Sequence, residues 1–195
     1  MSIKTWQFDA AHSSIGFSVR HMLVSKVHGR FLRWSGALRF DEAAPAASRV
    51  EVTVEAASID TGVPARDEHL RSADFLDVAT YPAIAFRSGA VERVGPRQFR
   101  VSGDLTIRDV TREVVLDVEY GGRVRDPRGF DRVGFSARAA IDRKAFGVTF
   151  NQLLDTGGLA LGDRVELRID VEATEAATVA VSDSELSQNH DARAQ

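Results

Sequence analysis

Cysteine is missing altogether from the 195 residues. Its absence removes disulfides, thiol nucleophiles and cysteine-type zinc sites together, and leaves the redox compartment undetermined. A run of about eighteen apolar residues, the length a membrane helix needs, occurs nowhere. The start, Met1-Ser2-Ile3-Lys4-Thr5-Trp6, lacks the apolar core of an export signal, so cytoplasmic residence is the expected default. Basic excess is lacking too: the net charge is −3, which gives no positive surface to collect nucleic-acid phosphates or an anionic membrane. Nothing recurs at a solenoid period. No Gly-x-Ser-x-Gly elbow is present, and Ser13-Ser14 has no evident partner base, so serine hydrolase chemistry has no support.

What is present is a chain with 44% hydrophobic and 27% charged residues, suited to one globular domain with a sizeable core. Apolar and polar residues alternate with period two in segment after segment. Ile15-Phe17-Val19, Leu32 to Phe40, Val50 to Ala56, and Pro82-Ile84-Phe86 come first. Phe99 to Ile107, Val114 to Tyr120, Val133 to Ile141 and Val165 to Val171 follow. Each reads as a strand with one dry and one wet face. About eight such strands joined mostly by short turns predict an all-β fold, an antiparallel barrel or sandwich. The barrel is preferred because several strands keep their alternation for nine to eleven residues, and Gly36 and Gly103 interrupt the apolar phase where a closing sheet must kink. One stretch departs from the pattern. Ser58 to Pro82 contains Asp67-Glu68-His69-Leu70-Arg71, with helical rather than alternating spacing, and predicts a short helical lid around residues 66–76. The domain is expected to span 1–173 and the polar segment 174–195 to be a disordered tail.

The order of short signatures along the chain resembles the YceI-like family of polyisoprenoid-binding, lipocalin-like barrels. The resemblance is carried by Phe8-Asp9-Ala10-Ala11-His12-Ser13, Phe17 through His21, Gly29-Arg30-Phe31 and Phe40-Asp41. It is densest in Ser58-Ile59-Asp60-Thr61-Gly62, Arg66 through Ser72 and Asp74-Phe75-Leu76-Asp77. Tyr81-Pro82, Phe86, Gly103-Asp104-Leu105-Thr106, Asp142-Arg143 and Phe146-Gly147 complete it. It implies an extended eight-stranded lipocalin-like barrel holding a polyisoprenoid lipid, such as an isoprenoid quinone or a prenyl pyrophosphate. It also implies a binding role and not catalysis. Members often carry an export signal, which this N-terminus does not show.

On that reading the cavity wall is Phe17, Val19, Trp34, Leu38, Val52, Phe86, Phe99, Val101, Leu105, Leu116, Phe135, Ile141, Leu167 and Ile169. Arg66, His69, Arg71 and Arg143 are the head-group candidates, cations that would meet a polar or phosphorylated end at the barrel mouth. The five histidines, at 12, 21, 28, 69 and 190, form no metal motif, so no metal and no cofactor are expected. The expected partner is the lipid, without nucleic acid or stable membrane insertion, and a homodimer is left open. Two other readings stand beside this one. A barrel filled by its own side chains would serve as an interaction or stress-related protein. An aspartic-type peptidase would use the Asp-Thr-Gly turns at Asp60 and Asp155, although too little chain follows Asp155 for a second catalytic lobe.

Overall fold

The computed structural model describes residues 4–22, 24–153 and 159–176. In chain order the strands are β1 (Lys4–Phe8), β2 (Ser14–His21), β3 (Ser25–Phe31), β4 (Trp34–Phe40), β5 (Arg49–Glu55) and β6 (Ile59–Asp60). The helix α1 (Pro64–Arg71) follows, then β7 (Ala83–Arg93), β8 (Gln98–Ile107), β9 (Val110–Arg125), β10 (Asp131–Asp142) and β11 (Leu161–Glu175). Every pairing is antiparallel, and the sheet closes because β11 bonds β1 through Phe8 opposite Ala173 and Trp6 opposite Glu175.

Three of the eight long strands are broken in two. A 3₁₀ turn at Ala10–His12, capped by the Asp9 carboxylate, separates β1 from β2, yet both pieces pair with β11. Residues 32 and 33 separate β3 from β4, and another 3₁₀ turn at Ala56–Ser58 separates β5 from β6. With each broken strand counted as one, the ring runs β1β2, β3β4, β5β6, β7, β8, β9, β10, β11 and back, an eight-stranded up-and-down barrel. The alternation in the sequence therefore predicts the right architecture. It passes over β1 and β3, one short, the other with an inward phase of Val27, Gly29 and Phe31 diluted by glycine and flanked by Lys26, His28 and Arg30. β11 continues through Thr174 and Glu175, which pair with Gln7 and Trp6, and residues 177–195 of the expected tail lie outside the described residues.

Closing so small a ring requires sharp bends, and glycine supplies them. A Cβ on Gly103 would lie 2.4 Å from Arg87 O, and one on Gly36 would lie 2.3 Å from Glu51 O. Neither backbone could approach as closely with a side chain in place. Phenylalanine rings lie over the gaps: Phe86 over Gly103, Phe8 over Gly36 and Phe17 over Gly29. Register shifts at Ser88/Ala90 and Gly134/Phe135 add further curvature.

The two ends of the barrel are built differently. One is plugged by Trp6, Leu38, Phe40, Phe99, Tyr120, Val133 and Ala173, with Trp6 only 2% exposed. Phe40, Tyr120 and Phe135 form a triangle of rings with centroids 5.1–5.2 Å apart, a spacing at which aromatic pairs add to area burial. Trp6 Nε1 donates to Phe40 O at 3.5 Å. Burial, and then the Glu42 carboxylate that accepts from Tyr120 OH, push the phenol up from its ordinary value. At the other end α1, the turns that follow it, and residues 143–153 with Ala160 and Leu161 fold over the opening, above Phe75, Leu105, Ile107, Val114, Phe146 and Val148.

Candidate functional site: an apolar cavity with a polar mouth

The inward phases of the strands enclose a cavity of about 500 Å³. The barrel is hollow and not filled by its own side chains. Every wall residue nominated from the sequence lies on this cavity: Phe17, Val19, Trp34, Leu38, Val52, Phe86, Phe99, Val101, Leu105, Leu116, Phe135, Ile141, Leu167 and Ile169. The alternation is the reason, because period two fixes which face each side chain takes once the sheet is closed. Sequence reasoning left out Ile15, Val54 and Val165, which sit in the same phases and were legible. It also left out Phe8 on β1 and Phe31 on β3, strands that were not recognised. Phe75, Phe146 and Phe150 were beyond reach, since they enter from turns and loops where no periodicity operates.

The lid is a helix of eight residues, Pro64–Arg71, followed by turns and not by more helix. Pro64 at its first turn supplies a preset φ, and Ser72 ends it in extended geometry. Buried Asp67 secures its start, accepting from Thr61 N at 2.9 Å and from Thr61 Oγ1 at 2.5 Å. His69 stands edge-on to Phe75 and Phe150, with centroids 5.0 and 4.9 Å away, and its Nε2 lies 2.9 Å from Asp74 Oδ2. His69 and Gln152 line the cavity while standing in solvent, which places the mouth among α1, the β2–β3 turn and the segment ahead of β11.

The head-group candidates fare unevenly. Arg66, His69 and Arg143 line the cavity; Arg71 does not. Arg71 instead donates to Ala57 O at 2.8 Å and Ile59 O at 2.7 Å, fastening the lid to the end of β5β6. The charge run invited a ligand role, but two bare carbonyls at a strand break need donors, and Arg71 supplies them. Arg66 gives Nε to Thr61 Oγ1 at 2.7 Å and Nη2 to Thr61 O at 3.0 Å. Arg143, 5% exposed, brackets the loop beneath the lid by donating to Val148 O at 2.7 Å, Phe150 O at 2.8 Å and Gly162 O at 3.0 Å. Burial lowers its pKa from the ordinary arginine value, opposed by the Asp163 carboxylate. At the plugged end Ser48 and Arg49 edge the cavity, with Arg49 held by Ala46 O and Ser48 O. Two polar side chains on the lining, His21 and Gln152, have no partner among the described residues.

Of the Asp-Thr-Gly turns, Asp60 sits in β6 with its carboxylate accepting from Gly62 N at 3.0 Å and Arg30 Nε at 3.1 Å. These two donors, the backbone one foremost, hold it below the usual carboxylate range. Asp155 lies outside the described residues. Among the described residues one group has donors of metal-ligand type, Asp9, His12 and Glu172, whose ligating atoms lie within 4.8 Å of one another. Arg132 already occupies it: Nη1 donates to Asp9 Oδ2 at 2.8 Å and to Glu172, and Nε to Asp126 Oδ2 at 3.0 Å.

The profile of the YceI-like domain matches residues 6–173, the span from Trp6 in the plugged end to Ala173 near the end of β11. The chain belongs to the YceI-like family. Protein YceI of Escherichia coli O157:H7 is 38% identical over 167 residues, covering 86% of this chain and 84% of that one. A UPF0312 protein of Pseudomonas savastanoi pv. phaseolicola is 38% identical over 140 residues, 72% of this chain and 73% of its own. Among solved structures, BcnA of Burkholderia cenocepacia superposes with a TM-score of 0.76 at 26% identity, covering 86% of this chain and 99% of that one. A polyisoprenoid-binding domain from Saccharophagus degradans gives 0.65 at 15% identity over 90% of this chain and 100% of its own, a likeness of fold alone. The family's barrel is thus the barrel found here, and no helix among the described residues is long and apolar enough to cross a membrane.

Proposed function

We propose that this protein is a non-enzymatic carrier of one polyisoprenoid lipid, its chain lying in the barrel and its head group at the mouth. The observation that carries this reading is the cavity itself: about 500 Å³ walled almost wholly by aliphatic and aromatic side chains, running from Phe40 and Trp34 up to His69 and Gln152. Empty apolar space of that size costs stability unless something fills it, and an elongated hydrocarbon is the filling its walls suit. Support comes from the family and from the Saccharophagus degradans relative, described as a polyisoprenoid-binding domain.

The mouth favours a neutral head group, such as a quinone, over a pyrophosphate. A pyrophosphate needs several converging cationic donors. Arg66, Arg71 and Arg143 are each committed to backbone or Thr61 oxygens, and His69 to Asp74. What remains among the described residues is the imidazole of His21 and the carboxamide of Gln152, groups able to bond a carbonyl oxygen. Burial at about 0.8 kcal/mol per CH₂ would overshoot any measured affinity for a long chain, so ordering and partial exposure offset much of it. Binding is then tight for the hydrocarbon and selective mainly at its end.

Organic extraction of the purified protein, followed by mass spectrometry, tests the reading directly. A prenyl compound should be recovered, or be taken up when a prenyl quinone is added, and a prenyl pyrophosphate of equal length should bind more weakly. Protein that yields no lipid and takes up none would end the carrier reading; preference for the pyrophosphate would end the neutral-head-group part of it.

A further inference from the structure

A prenyl chain has almost no solubility in water, so a carrier has to receive it where it resides, and among the described residues five exposed apolar side chains stand at the place of entry. Met22 and Val24 project from the β2–β3 turn, Val24 being 85% exposed; Leu153 and Leu159 project from the segment ahead of β11, Leu153 being 82% exposed. The two tips are contiguous. Met22 N donates to Ala160 O at 2.7 Å, Leu153 bridges Leu159, and Ala160 N donates to Gln152 O at 2.9 Å. Val63, also exposed, precedes the lid helix on the third side of the mouth. The residues beside these tips, His21, Gln152 and Ala160, are themselves cavity lining. The remaining exposed large apolar residues among the described ones, Leu32, Val94, Val115, Val124 and Phe130, belong to other turns and strands, and none of these adjoins the mouth.

Resting on the carrier reading, we propose that the mouth end docks on the surface of a lipid bilayer, with Met22, Val24, Leu153 and Leu159 entering the boundary between head groups and acyl chains. Apolar side chains on a protruding rim insert in this way, and here the inserted rim would join the apolar interior of the bilayer to the cavity without a water gap. A second copy of the chain fits less well, because a stable interface takes roughly 20–30 residues a side and these are a few side chains on narrow tips. Two cations near the rim are already paired, Lys26 with Glu166 at 2.6 Å and Lys144 with Asp163 at 3.0 Å. Docking should therefore rest on apolar insertion, work on zwitterionic phosphatidylcholine and depend little on salt.

Flotation with phosphatidylcholine vesicles tests this on the full chain, with Val24→Asp/Leu153→Asp compared with the far-end control Val124→Asp. The wild-type protein and the control should float. The double variant should lose about tenfold or more in bound fraction, and should extract a fluorescent prenyl quinone from vesicles more slowly while taking up the same amount from a vesicle-free dispersion. Wild-type protein that does not float, or a double variant that floats equally, overturns the proposal. So does a double variant whose lost flotation comes with a halved particle mass in light scattering, since the rim would then join two copies. If no prenyl quinone is taken up from either source, the carrier reading falls, and flotation still decides docking independently.

Discussion

The plugged end and the mouth of this barrel solve opposite problems with different chemistry. At the plugged end Phe40, Tyr120 and Phe135 meet ring to ring, and buried Trp6 packs in the same cluster and helps fill the interior. At the mouth, apolar filling would close the cavity, so the covering segments are held from the side. Arg143 and Arg71 reach backbone carbonyls, and Asp67 reaches the Thr61 amide and hydroxyl. A guanidinium suits this because its fixed fork of donors can satisfy several carbonyls of an irregular loop together. The lesson is that cationic side chains at a ligand-sized opening can belong to the frame.

Removing a member of each frame breaks the comparison most forcefully. Trp6→Ala takes out a side chain 2% exposed at the centre of the plug. It should cost about 3–5 kcal/mol of unfolding free energy by urea denaturation. Arg143→Met should cost about 3 kcal/mol, because Val148 O, Phe150 O and Gly162 O lose their donor inside the structure. Arg143→Lys should recover little of it, since one ammonium cannot span the same carbonyls. If Arg143→Met keeps full stability and loses only ligand uptake, the arginine is a head-group residue and the contrast drawn above is wrong.

The glycines sharpen the comparison at a smaller scale. In Gly103→Ala the new methyl would meet Arg87 O at 2.4 Å and Ser88 Cα at 2.8 Å, backbone atoms that cannot turn aside. A loss of about 1–3 kcal/mol is expected. In Gly29→Ala the close atoms are side chains, Phe17 Cζ at 2.3 Å and Thr61 Cγ2 at 2.9 Å. The Phe17 ring can swing into the cavity, so stability should change by under about 1 kcal/mol while prenyl-quinone capacity falls. Equal melting temperatures for the two variants would show that the cavity near Gly29 has no room to yield.

These residues also show how far the sequence could be read. Val101 and Leu105 declare their face by alternation, and Gly103 between them declares the kink, so wall and closure follow from period two. The mouth is different. Arg71 and Arg143 look alike in the sequence as lid and loop cations, yet Arg143 lines the cavity and Arg71 does not, because the carbonyls they meet, at the β5–β6 break for Arg71 and in the loop after β10 and the start of β11 for Arg143, take positions only the closed barrel defines. His21 ends a strand in the inward phase and could have been placed on the lining, but that its side chain has no partner among the described residues is a property of the folded mouth.

The smallest expected effect concerns charge on the outside of the plugged end, where Arg132 gathers Asp9, Asp126 and Glu172. The hydrogen bonds from His12 and Arg132 hold the Asp9 carboxyl well below its usual range, and the Phe130 amide and Arg132 do the same for Asp126. A carboxyl whose folded pKa is depressed below the unfolded value of about 3.9 stabilises the protein above that pH, and loses the contribution as pH falls through the folded pKa. Arg132 itself is shifted upward, chiefly by its bond to Asp9, so its own linkage lies in strong alkali, outside the acid window. Arg132→Met should therefore melt a few degrees lower at pH 7, and the gap from wild type should close as pH drops from about 5 to 2. Added salt should narrow it too, because these groups are only partly shielded from solvent. Melting curves for the two proteins that stay parallel across that range would show Arg132 to matter through the packing of its stem and not through its charge.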